Sequence, residues 1–62
     1  MNGFEILVGQ IDDKISHVKD FISEGKAENH EEYKRLCGEI KGLLIARGYI
    51  LDLKQNLENS DE

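Results

Sequence analysis

Residues 33–53 read YKRLCGEIKGLLIARGYILDL, and the apolar and small residues of this stretch decide the fold. A helix that turns 100° per residue carries them on two opposite faces. The first face comprises Tyr33, Leu36, Cys37, Ile40, Leu43, Leu44 and Leu51. The second face comprises Gly38, Gly42, Ile45, Ala46, Tyr49 and Leu53. One neighbouring helix covers only one face, so the second face is predicted to bind a partner.

An amphipathic segment precedes this stretch. Its apolar residues are separated by alternating steps of four and three, the pattern of a helix that packs against another helix. They are Phe4, Val8, Ile11, Ile15, Val18 and Ile22. The pattern predicts a first helix over residues 3–24.

Turn and cap residues set the remaining boundaries. Gly25 stands where a helix ends in a left-handed residue, and Asn29 offers its side chain as the cap of a second helix. We therefore predict a turn over residues 25–29, a second helix over 30–57 and an acidic tail over 58–62.

The predicted fold is all-α: one antiparallel two-helix hairpin that assembles into a dimeric four-helix bundle or a larger helical bundle. A chain of 62 residues has a marginal core, and its single cysteine excludes an internal disulfide. Self-association is the remaining support. The predicted hairpin core comprises Val8, Ile11, Ile15, Val18, Ile22, Tyr33, Leu36, Ile40, Leu43 and Leu44.

The glycines of the second helix favour close contact with a partner. Gly38, Gly42 and Ala46 are spaced by four and line one strip of the helix. Each interior glycine costs about 0.8–1 kcal/mol relative to alanine, so a compensating close approach is expected. In the alternative interpretation the glycines face solvent and mark a kink or a break near Gly48. The large apolar residues on the same face favour the first interpretation.

Two cations interrupt the first apolar face. Arg47 and Lys54 either extend their charged ends to water or pair with a carboxylate among Asp12, Asp13 and Asp20. Extension to water is the preferred interpretation. In the alternative, Asp12 or Asp13 is the nearer candidate for Arg47, because in a hairpin the late part of the second helix lies beside the early part of the first.

The second helix is also predicted to be the longer of the two. Its C-terminal end, with Leu53 and Leu57, is expected to extend beyond the hairpin or to pack only in an oligomer.

No enzyme is predicted. The spacing of Asp13, His17 and Asp20 on one side of the first helix would suit a metal ion or acid–base chemistry, but such spacing is common on solvated helices. Cys37 is predicted to be a buried, unreactive thiol. The sequence has no phosphate-binding loop, nucleophile elbow or zinc-protease motif, and no cofactor is expected.

The charge balance restricts the partners. A net charge of −5 disfavours direct binding to nucleic acid or to anionic membranes. No apolar run approaches the roughly 20 residues of a membrane span, and the first residues lack a basic signal region. A soluble cytoplasmic setting is therefore expected.

Residues 32–43 read EYKRLCGEIKGL, which fits the pattern E-Y-x-x-L-x-G-x-I-x-G-L, and a second apolar run, ILDL at 50–53, and an acidic end follow. In this pattern the C-terminal half resembles small helical-hairpin proteins of tailed bacteriophages. The resemblance implies a phage origin, a place in the host cytoplasm or the virion, and an interaction role. It carries no catalytic residues with it.

The function expected from these observations is non-enzymatic. The protein would associate with itself and dock on another phage protein of the virion or its assembly. One alternative is an acidic inhibitor that occupies the basic nucleic-acid-binding groove of a host defence or transcription enzyme, with binding that weakens steeply as salt rises. Another is a metal-dependent enzyme built across an oligomer from Asp13, His17 and Asp20.

Overall fold

A computed structural model describes residues 2–59 as two helices joined by a short turn. α1 spans Gly3–Ser23 and α2 spans His30–Asn59. The helices run antiparallel, because contacts between them join early residues of α1 to late residues of α2. The molecule is a rod with extents of 51 × 19 × 11 Å. The two-helix hairpin predicted from the sequence is therefore confirmed for this part of the chain.

Side-chain caps begin both helices. The Asn2 side-chain oxygen accepts a hydrogen bond of 2.8 Å from the backbone N–H of Glu5, and the Asn29 oxygen accepts one of 2.8 Å from Glu32. Each bond satisfies a backbone donor that the first helical turn leaves without a partner. The predicted cap at Asn29 is confirmed.

The end of α1 is a glycine-dependent turn. Gly25 has a φ of 72°, in the left-handed region that favours glycine. Its backbone N–H donates a hydrogen bond of 3.0 Å to the carbonyl oxygen of Ile22, and the N–H of Lys26 donates one of 3.2 Å to the carbonyl oxygen of Phe21. This pair of bonds is the Schellman motif, which turns the chain back toward α1. Glu24 is the C-cap, so α1 ends one residue earlier than predicted.

α2 continues beyond its predicted end at Leu57, so Glu58 and Asn59 are helical and do not belong to an acidic tail. Residues 60–62 lie outside the described residues. α2 also passes through Gly48 without interruption, which contradicts a break there. The other part of that alternative agrees with the single hairpin, in which Gly38, Gly42 and Gly48 are exposed.

A hollow lined by Asn2, Phe4 and Leu57 places the last turns of α2 beside the start of α1. The predicted overhang is therefore wrong for Leu57. It is also wrong for Leu53, because the next residue, Lys54, lies 3.9 Å from Glu5 of α1.

The core is small and lies at mid-hairpin. Ile15, Val18 and Leu36 are buried, with 6–7% of their surface exposed. Five other predicted core residues are half-buried: Val8, Ile11, Ile22, Ile40 and Leu43. Two predicted core residues are not in the core, since Tyr33 is 44% exposed and Leu44 is 51% exposed.

The rotation of α2 explains both corrections. The side of α2 that faces α1 follows residues 36, 40, 43, 47, 50 and 54, with the same alternating steps of four and three as α1. Positions 47 and 54 of this seam hold Arg47 and Lys54. Turning these cations toward α1 moves Tyr33 and Leu44 to the edge of the seam, where α1 does not cover them.

Candidate interaction surface

Ion pairs set how α2 faces α1. The Nε of Arg47 donates to Oδ1 of Asp12 at 2.7 Å, and its Nη2 donates to Oδ2 at 3.5 Å. Seven residues away on each helix, Lys54 Nζ lies 3.9 Å from Glu5 Oε1. Arg47 therefore pairs with Asp12, which corrects the preferred interpretation that its charged end only extends to water. The two pairs lie in one antiparallel register and hold the cations of α2 against the acidic edge of α1.

The other side of α2 carries the predicted partner residues, which we call the outer face: Gly38, Gly42, Ile45, Ala46, Tyr49 and Leu53. Tyr49 is 72% exposed, Ile45 49% and Leu53 51%. Both glycines are also exposed, whereas Ala46 is half-buried at the edge nearest α1. The hairpin thus leaves the large apolar side chains of the outer face largely uncovered.

The glycines of the outer face have no packing role inside one hairpin. A Cβ atom placed on Gly38 or Gly42 meets no other atom of the described chain within 4 Å, outside its own stretch of helix backbone. Their cost to the helix, about 0.8–1 kcal/mol each, is therefore not offset by a close approach of α1. Any compensating contact has to come from outside the hairpin.

A second apolar strip lies at the edge of the seam, formed by residues that the sequence placed on the first apolar face. We call it the flank strip: Tyr33, Cys37, Leu44 and Leu51. Cys37 is exposed, which corrects the prediction of a buried thiol. Leu51 is 37% exposed. These residues are spaced by four, seven and seven, so they follow their own line along α2. If Arg47 and Lys54 had been assigned to the seam from the sequence, this line would have been recognised as lying beside the core.

Tyr33 and Cys37 interact within the flank strip. Hydrogen bonding to the Cys37 side chain, and then its charge, raises the pKa of the Tyr33 hydroxyl above its ordinary value of 10.0. The Tyr33 ring also stacks on His30, with 6.2 Å between ring centroids and an interplanar angle of 23°. These contacts join side chains on neighbouring turns of α2 and do not form an enclosed site.

The remaining chemical groups are dispersed. Asp13, His17 and Asp20 are all exposed on α1. Among residues 2–59, no group of three or more His, Cys, Asp or Glu side chains is arranged to hold a metal ion. Nor does the described chain contain a helix long and apolar enough to cross a membrane.

An open groove of about 350 Å³ lies between the helices near the turn. Its apolar lining comes from Val18, Phe21 and Leu36, and its charged lining includes Lys14 and Glu39, whose Nζ and Oε1 atoms are 3.7 Å apart. Because the groove is open to solvent, it does not surround a small molecule as most ligand pockets do. The outer face of α2 is the better candidate for a functional site.

Comparisons with protein-family models, with curated proteins and with solved structures found no match to this chain.

Proposed function

We propose that this protein is a non-enzymatic phage protein that acts through its helices, by associating with itself and by docking on a protein of the virion or its assembly. The observation that carries the proposal is the exposure of Ile45, Tyr49 and Leu53 along one side of α2. Exposed apolar patches of this kind are typical of protein–protein contacts. The phage assignment rests on the resemblance of residues 32–43 and 50–53.

The small core supports self-association. Only three apolar residues of the described chain are buried, so a single hairpin gains little from the hydrophobic effect. Covering the outer face with another helix would add the burial of Tyr49 and Ile45. Each large side chain that becomes fully buried contributes about 1.5–3 kcal/mol.

The charge distribution gives the inhibitor alternative less support. Glu5 and Asp12 on α1 are paired with Lys54 and Arg47. An acidic surface that mimics nucleic acid needs its carboxylates available to a basic groove, and these two already face cations of α2. We therefore favour apolar contacts over electrostatic mimicry.

Light scattering on the native chain, Gly42→Leu and Gly48→Leu tests self-association. A Cβ atom added at either glycine lies in open space, and both substitutions remove a helix-destabilising glycine, so neither should disrupt the hairpin. We expect a native dimer or larger oligomer, weaker association for Gly42→Leu, and little change for the Gly48→Leu control. A monomeric native chain, or equal association of all three, would refute the proposal.

A further inference from the structure

We propose that a second copy of this chain packs antiparallel on the outer face of α2, with Tyr49 of one copy against Gly38 of the other and Ile45 against Gly42. This inference rests on the proposed self-association and adds its orientation and register. In this arrangement the outer face is covered by α2 of an identical chain.

The register follows from matched spacing of large and small residues. Tyr49 and Ile45 are four residues apart, and so are Gly42 and Gly38. In an antiparallel pair, a step of four along one helix is a step of four back along the other, so both contacts form together. Tyr49 is 72% exposed, and each glycine offers open space where it has no side chain. Parallel pairing would instead place Tyr49 against its own copy.

The charges at the edge of the outer face favour the same orientation. Lys34 and Asp52 are 18 residues apart, which is five helical turns, so they lie at the same angle on α2. In an antiparallel pair with two-fold symmetry, each edge of α2 lies against the same edge of the other copy. Lys34 of each chain therefore faces Asp52 of the other chain, which gives two equivalent contacts. This pairing falls within one residue of the register set by Tyr49 and Gly38.

Parallel pairing would lose both contacts between Lys34 and Asp52, because these residues lie 18 positions apart and would no longer be at the same level. It would also place the edge of one copy that holds Lys34 against the opposite edge of the other copy. Arg35 lies on that opposite edge at nearly the same height along the helix axis, so two positive charges would meet. Within residues 2–59, neither Lys34 nor Asp52 forms an ion pair in the hairpin, whereas Arg35 lies 3.9 Å from Glu39. Lys34 and Asp52 are therefore available to a second copy.

A charge swap tests the orientation. We would measure dimer dissociation by sedimentation equilibrium for Lys34→Asp, Asp52→Lys and the double variant, with Lys19→Asp on α1 as the control for net charge. All three positions are exposed, and circular dichroism verifies that the hairpin is retained. Each single variant turns two attractive pairs into two repulsive ones and should raise the dissociation constant about tenfold. The double variant should return to nearly the native value, and Lys19→Asp should change it little.

Disulfide trapping gives an independent readout. In a Cys37→Ala background, we would mix Gly38→Cys chains with Tyr49→Cys chains under mild oxidation. The antiparallel register predicts a disulfide between the two kinds of chain. Efficient disulfide formation between two Tyr49→Cys chains would overturn it.

The outcomes separate the two proposals. A monomeric native chain overturns both self-association and its orientation. A native dimer whose double charge variant is no tighter than the single variants overturns the antiparallel register alone, and self-association then stands.

Discussion

The pair between Arg47 and Asp12 is predicted to stabilise the hairpin measurably, although both side chains are partly exposed. Arg47 is 36% exposed and Asp12 is 48% exposed, and two nitrogen atoms of the guanidinium approach the two carboxylate oxygens at 2.7 and 3.5 Å. Exposed ion pairs contribute roughly 0.2–1 kcal/mol, and bidentate geometry favours the upper end of that range. We therefore expect a coupling energy of about 1 kcal/mol. For a domain of this size, that corresponds to a melting temperature shift of about 4–8 °C.

A double-mutant cycle measures this coupling. Urea unfolding would be followed for Asp12→Ala, Arg47→Met and the double variant, where methionine retains an apolar stem in the seam. All proteins are compared at one concentration, because association adds to apparent stability. The matched control is the pair of Lys26 and Glu24, which is more exposed, at 59% and 55%, and lies within the turn at 2.9 Å.

The two cycles have different expected results. The coupling energy of the control pair should be less than about 0.5 kcal/mol. The coupling energy of Arg47 and Asp12 should fall when the salt concentration is raised. Equal coupling energies in the two cycles would refute the argument that this pair orients α2.

Two further predictions concern the turn and the flank strip. Gly25→Ala should destabilise the hairpin by about 1 kcal/mol because Gly25 has a φ of 72°, and urea unfolding measures this change. Gly48→Ala should instead stabilise the hairpin by a similar amount, because it replaces a glycine inside a helix. A change of the same sign for both variants would contradict the turn geometry. In a Tyr49→Phe background, Cys37→Ala should lower the pKa of Tyr33 toward 10.0, because the hydrogen bond and the thiolate charge that disfavour ionisation are removed. Ultraviolet absorbance titration of the phenolate measures this shift, and an unchanged midpoint would show that the thiol does not act on Tyr33.

Local signals in the sequence were sufficient to predict the path of the chain. The apolar spacing of α1, the side chain of Asn29 and the position of Gly25 each act within a few residues, and the structure places all three as expected. Propensity, capping and turn conformation depend on short-range physics, so they can be recognised without knowledge of the neighbouring helix.

The rotation of α2 could not be predicted from its apolar residues alone. Leu36, Leu43 and Leu44 have similar hydrophobicity, yet Leu36 is 7% exposed and Leu44 is 51% exposed. What distinguishes them is the partner: α1 presents Glu5 and Asp12 at one edge, and the cations of α2 turn toward them. Ranking positions only by hydrophobicity treats Arg47 and Lys54 as interruptions, although they occupy regular positions in the seam.

This rotation also determines what α2 has available for other contacts. Because two seam positions hold cations, apolar residues that would otherwise face α1 lie outside the seam, in the flank strip. The outer face carries a further apolar set, with Tyr49 72% exposed, and two glycines that no contact within the described hairpin requires. The proposed second copy would give these glycines the packing role that they lack inside the hairpin. With the ion pairs holding α1 against the seam, α2 keeps uncovered apolar surface on both the outer face and the flank strip, and the charge swap at Lys34 and Asp52 tests whether a second α2 covers the outer face.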